Sequence, residues 1–185
     1  SKDIWDDGNL VKNLPTYINP QNGWVQSTNQ NPFYVMGKYS LKNKLVTKFV
    51  DYEKRLTNRS YVANELLSSN ESIDLNRFIE IKFDNSYSKN SRQYKYLESI
   101  AQYDQNIQEA IKNWNRKTDI LNTNAGLGMC FMAQEWISEM NSKSTPSYES
   151  AKVECESIFK TIKRDFSDQW GLINTISRGS RTYPI

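Results

Sequence analysis

The sequence predicts a mainly α-helical chain, with extended, irregular segments at both ends. Three observations carry this. Apolar residues recur at helical spacing from Leu45 to Ile162, the pattern of helices with one apolar stripe. No segment alternates apolar and polar residues for long, so a sheet is not expected. Pro, Asn and Gly crowd the first 43 residues and mark the last twenty again, where they fix turns rather than helices. The expected division is an extended segment 1–43, a knob-like helical domain 44–165 and an extended exit segment 166–185.

In the first segment, Pro15, Pro20 and Pro32 fix φ and bias their predecessors toward extended geometry. Asn19-Pro20-Gln21-Asn22-Gly23 has turn chemistry, with Pro suited to the second position and Gly free to take positive φ. Six residues after Gly23 comes Asn29. An amide held by a rigid turn is a natural donor to a developing oxyanion.

The helical pattern opens near Lys44, with Leu45, Phe49, Tyr52 and Leu56 on one face and Asn58 ending the run. A short helix is expected over Ser60 to Leu67. After the polar break Asn70-Glu71-Ser72, Asp74 can cap a helix carrying Phe78 and Ile81. Leu97, Ile100 and Tyr103 line a further face, and Ile107, Ala110, Ile111 and Trp114 repeat at helical spacing. Asp104 to Asn106 is placed to break these into two helices. Met129, Ala133, Trp136, Ile137 and Met140 form another stripe. Pro146 lies in a linker, and Val153, Ile158 and Ile162 mark the last helix. No internal repeat or low-complexity tract is visible.

Composition narrows the function classes. Apolar residues make up 37% and aromatic residues 12% of 185 positions, with a mean hydropathy of −0.76. The core must therefore lean on Trp, Tyr and Phe. Twenty-four basic and 21 acidic residues are well mixed and leave a net charge of +3, without the basic block that nucleic-acid binding needs. No run approaches the ~18 apolar residues of a membrane span, and no signal peptide is visible. Histidine is absent, which excludes a Ser-His-Asp triad, a Cys-His pair and His-based metal sites within this chain. Cys130 and Cys155 lack any C-x-x-C neighbour and read as small buried hydrophobes in preference to a disulfide.

The spaced set Leu14-Pro15, Asn19-Pro20-x-x-Gly23-Trp24 and Asn29-x-x-Pro32 resembles the penicillin acylase (penicillin amidase) family of N-terminal-nucleophile hydrolases. The resemblance continues through Arg59 with Leu66-Leu67, Ile73 to Asp84, and Ile111 to Asn115. It ends on Trp170-Gly171-x-x-Asn174 with Arg178-Gly179 and Pro184. By it the chain is an internal piece of the β chain, leaving the helical part at its end to rejoin a catalytic sheet. The resemblance gives Asn29 a side-chain donor's place in the oxyanion hole and Arg59 a supporting role beside it. Arg59 also reads as an exposed residue at a helix start. The nucleophile would be an N-terminal Ser whose own α-amine is the base, and it would lie outside this chain. Ser1 reads as a cut site or cloning scar, because only a dozen residues separate it from Leu14-Pro15.

The same resemblance implies a small acyl-amide substrate, and as partners the α chain and the catalytic core of the same precursor. It also implies a periplasmic or secreted location, no cofactor in this segment, and calcium in some full-length relatives. The piece alone is expected to be inactive. The alternative is a helical, envelope-associated domain binding carbohydrate or peptide through exposed Trp and Tyr. Remaining candidates read blandly. Asp6-Asp7-Gly8 is turn chemistry, Glu135 and Glu139 a solvated helix face, Trp114 core, and Asp84 a helix terminator or local hydrogen-bond partner. Asn58-Arg59-Ser60 and Asn70-Glu71-Ser72 match the glycosylation pattern, which acts only in a eukaryotic secretory setting.

Overall fold

The structure, a computed structural model, describes residues 16–40, 55–69 and 72–185. They form seven α-helices and two short strands, so the chain is mainly α, as its helical spacing predicts. It divides into two compact units, Ser1–Lys82 and Phe83–Ile185.

In the first unit the Asn19–Gly23 turn forms as its residues dictate. The Gly23 N–H donates to the Pro20 carbonyl at 2.9 Å, and Asn19 and Gly23 take φ of 47° and 76°. Pro32–Tyr34 is a 3-10 turn capped by Asn31, whose Oδ1 accepts from the Phe33 N–H at 3.0 Å. Phe33, Val35 and Met36 beneath it are buried. Helix α1 spans Asn58–Leu67, with Thr57 as its N-cap. Asn58 thus opens a helix instead of ending one, and residues 55–57 before it are not helical, because the Thr57 hydroxyl satisfies the first-turn Ser60 N–H. The rest of the run expected from Lys44 lies outside the described residues. Helix α2, Leu75–Lys82, starts where Asp74 accepts from the Arg77 N–H at 2.8 Å.

The second unit is built around α5, Ala125–Met140, which packs on α3 (Arg92–Ile100), α4 (Gln105–Asn113) and α6 (Tyr148–Ile162). Leu97, Ile100, Ile107, Trp114, Phe131, Met132 and Phe159 fill the core. Asp104 separates α3 from α4 as expected, capping α4 through the Asn106 and Ile107 N–H groups. Tyr103, expected on the α3 face, is 65% exposed.

The stripe expected on α5 is only partly packed: Met129 and Ala133 are half-buried, and its last three members face outward. Trp136, Ile137 and Met140 are exposed, while Ala125, Gly126, Gly128, Phe131, Met132 and Glu135 are buried. Small residues let neighbouring chain come close. A Cβ on Gly126 would sit 2.6 Å from the Phe166 carbonyl oxygen, and one on Gly128 would be 3.1 Å from the Trp114 ring. Side-chain hydrophobicity alone does not register that close approach. Helix α6 forms where Val153, Ile158 and Ile162 mark it; these three are exposed, and Ala151, Cys155 and Phe159 are buried.

Cys130 and Cys155 form a disulfide between α5 and α6, which corrects the reading of two free thiols. Both are buried positions of packed helices, with Cα atoms 5.8 Å apart, within the span a cystine bridges. The 25-residue separation carries no pairing signal of its own.

The chain leaves the core through α7, Trp170–Ile173, and then forms a hairpin where no sheet was expected. Strands β1 (Thr175–Arg178) and β2 (Arg181–Pro184) pair antiparallel with Ile176 opposite Tyr183, turning at Gly179 with φ of 61°. Four residues per strand, all exposed, are too few to show a period of two in the sequence.

Candidate functional site

Asn29 lies between Thr28 and Gln30 in the first unit and takes φ of 65°, the left-handed region that Asn tolerates better than most residues. Arg59 is the second residue of α1. Its Nη2 donates to Asn29 Oδ1 at 2.8 Å and reaches the Thr28 carbonyl at 3.5 Å. The structure therefore brings together the two candidates, thirty residues apart in sequence. Both are exposed. Arg59 is a helix-start residue and bonds Asn29.

The contact fixes the orientation of the amide. A guanidinium only donates, so the atom facing it is the amide oxygen, and Nδ2 points elsewhere. No hydrogen-bond partner holds Asn29 Nδ2 among the described residues. The cation also draws charge toward Oδ1, which makes the Nδ2 N–H bonds better donors. This arrangement can offer a polarised amide N–H to an anion developing in front of it.

Around the pair lies a set of hydroxyls that sequence reading missed. Ser60, fully buried, sits 3.0 Å from the Thr28 hydroxyl and 3.3 Å from that of Thr57. Thr28 gives both its N–H and its hydroxyl to Gln30 Oε1 at 2.6 Å. The available signal was local: Thr57-x-x-Ser60 is capping chemistry at a helix start, and Thr28 and Gln30 flank Asn29. A cavity of about 610 Å³ in the same unit is lined by Asn22, Trp24, Met36, Tyr39, Leu67 and Ile73, among others. Neither Asn29 nor Arg59 lines it, and both are exposed.

Other candidates resolve into structural roles. Glu135, read as part of a solvated face, is 1% exposed and pairs with Arg92, which also reaches Glu139 at 2.5 Å. The buried face of α5 includes this acid because Arg92 neutralises it there. Trp114 is core, and its indole N–H donates to the Lys117 carbonyl at 2.7 Å. Asp84 follows α2 and accepts from the Ser86 N–H at 2.9 Å, with the Lys117 ammonium 3.7 Å away. Gly171 is required where it stands: a Cβ there would lie 3.0 Å from both Cβ and the carbonyl oxygen of Ile120. Ser1, Asp6, Asp7 and Asn70 lie outside the described residues.

In the second unit the Asp104 carboxyl is held below the usual carboxylate range, first by the Tyr148 hydroxyl, which donates to it at 2.5 Å, and then by backbone N–H groups. It ties α4 to α6 and caps α4. Burial, then the nearby Glu135 charge, pushes the Tyr96 phenol up to about 12. Among the described residues, no three His, Cys, Asp or Glu side chains gather to hold a metal ion. No helix of the described residues is long and apolar enough to cross a membrane.

The first unit thus presents an exposed side-chain amide whose oxygen is held by a guanidinium from the start of α1. The particular family follows from comparison: a model of the penicillin amidase family matches residues 1–179, and the chain belongs to that family. No curated protein matches the chain.

Proposed function

We propose that this chain supplies one donor of the oxyanion hole in an amidohydrolase that cleaves the bond between an acyl group and an amine. The nucleophile is an N-terminal Ser outside this chain, so the chain alone is inactive. That Ser, with its α-amine as base, attacks the acyl carbonyl, and the carbonyl oxygen takes the negative charge. Asn29 Nδ2 donates to that oxygen while the tetrahedral intermediate exists, and Arg59 keeps the amide turned the right way. The amine then leaves, and water releases the acyl group by the same path.

The observation that carries this reading is the 2.8 Å bond from Arg59 Nη2 to Asn29 Oδ1, in a chain of the penicillin amidase family. It leaves the N–H side of the amide as the functional end. The absence of His is consistent with a nucleophile that carries its own base. The parent is a precursor whose other chains complete the site. The buried cystine suits an oxidising compartment such as the periplasm or the cell exterior. The alternative of a carbohydrate- or peptide-binding module would draw on Trp136, Tyr34, Tyr39, Tyr103 and Tyr183, which are exposed, while Trp24, Trp114 and Trp170 are half or fully buried.

The test is Asn29→Ala in the intact enzyme, assayed on a series of N-acyl p-nitroanilides. We expect kcat to fall about 10²–10³-fold, the cost of losing one oxyanion donor, with KM little changed. An unchanged kcat would remove Asn29 from the mechanism.

A further inference from the structure

The hydroxyls around Asn29 have only one consistent set of proton directions. Gln30 Oε1 is an acceptor, so the Thr28 hydroxyl donates to it. With its proton committed, Thr28 Oγ1 can only accept in its 3.0 Å contact with Ser60, so the Ser60 hydroxyl donates to Thr28. Ser60 Oγ then accepts from the Thr57 hydroxyl at 3.3 Å. The Thr57 oxygen in turn lies 3.4 Å from the Ser60 N–H at the start of α1. Every hydroxyl proton is used, and the chain runs one way from Thr57 through Ser60 and Thr28 to Gln30. Hydrogen bonds aligned head to tail polarise and strengthen one another.

We infer that this one-way hydroxyl chain is the device that positions Asn29 for catalysis, with Thr28 and Ser60 as positioning residues. The inference rests on the proposed role of Asn29 and extends it. The chain grips the residues on both sides of Asn29, at Thr28 and Gln30, and anchors them to the N-terminus of the helix that carries Arg59. Asn tolerates a left-handed backbone without requiring it, so the surroundings of Asn29 decide whether it keeps that conformation. Here the surroundings are these four side chains, the Arg59 contact to the Thr28 carbonyl, and Gln30 Nε2 reaching the Gln26 carbonyl at 3.4 Å. Ser60 is completely buried, so no water competes for its single proton. The backbone of Asn29, and hence the direction of Nδ2, is thus set by α1 through hydroxyls that never touch substrate.

The intact enzyme can test this through Thr28→Val, which keeps the shape and removes the proton, against Thr28→Ser, which keeps the proton. We expect Thr28→Val to lower kcat about tenfold, as expected for one lost internal hydrogen bond, with KM unchanged. Thr28→Ser should restore most of that loss. Ser60→Ala should match Thr28→Val, and the double variant should be no worse than either, because both break one chain. In an Asn29→Ala background, Thr28→Val should have no further effect on kcat. A wild-type kcat for Thr28→Val overturns the inference. So does the same fractional loss with and without Asn29, which marks Thr28 as a general structural residue. If Asn29→Ala alone leaves kcat unchanged, the oxyanion reading itself has failed, a different result from either. Thermal melts of each variant separate lost folding from lost positioning, and Ser60→Cys provides a second probe where Ser60→Ala does not fold.

Discussion

The Asn29 region and the helical unit are held by opposite means. Around Asn29 the side chains in contact are Thr, Ser, Gln, Asn and Arg, joined by directional hydrogen bonds on a largely exposed surface. Around Leu97 and Phe131 they are apolar, joined by burial, by a cystine and by close approach at glycine. Hydrogen bonds fix direction but add little net stability, because water offers the same bonds to the unfolded chain. Burial contributes most of the stability and is insensitive to direction. The first arrangement suits a group that must point at a transition state, and the second suits a scaffold.

The largest effect expected from this contrast is on stability. Leu97 is fully buried, and Leu97→Ala should cost about 2–5 kcal/mol in chemical denaturation; a cost near zero would mean that α3 is not part of the core. Next comes Arg59→Ala. It should leave the unfolding midpoint almost unmoved and lower kcat by the equivalent of about 1.5–3 kcal/mol, the range for a charged hydrogen bond. A stability loss as large as that of Leu97→Ala would erase the distinction between the two regions.

The smallest effect concerns pH. The Tyr96 phenol lies near 12 in the folded chain against an ordinary 10.0. A folded value above the unfolded one gives stability that is complete below pH 10 and is lost as pH rises toward 12. The loss should run at up to roughly 1.4 kcal/mol per pH unit. Tyr96→Phe should flatten that part of the stability profile in urea titrations. An identical slope in both proteins would show that Tyr96 does not titrate as its burial demands.

Much of the local structure was legible. The Pro20–Gly23 turn, the Asp74 cap and the break at Asp104 each follow from one or two residues acting on their immediate neighbours. The α5 stripe was partly misread because that helix carries apolar residues on more than one side. There Gly126 and Gly128 let neighbouring chain come within a distance that a Cβ would block. Glu135 was misread for the same reason. Its burial depends on Arg92, 43 residues earlier, which no helical period reveals. At the candidate site, the turn and the amide were visible in the spacing of Asn19, Gly23 and Asn29. The hydroxyls of Thr28 and Ser60 were not, because neither has meaning until the loop and α1 meet.

By itself, then, the sequence determined that this chain is mainly helical, where most of its turns and caps fall, and that Asn29 is an amide borne on a rigid path. These are consequences of backbone sterics and hydrogen bonds that close within a few residues. Only the tertiary structure decided that Arg59 reaches Asn29, that Ser60 orders the hydroxyls behind it, and that Cys130 meets Cys155. Each of those pairings spans 25 or more residues, and a side chain's partner at that range is chosen by how whole elements pack.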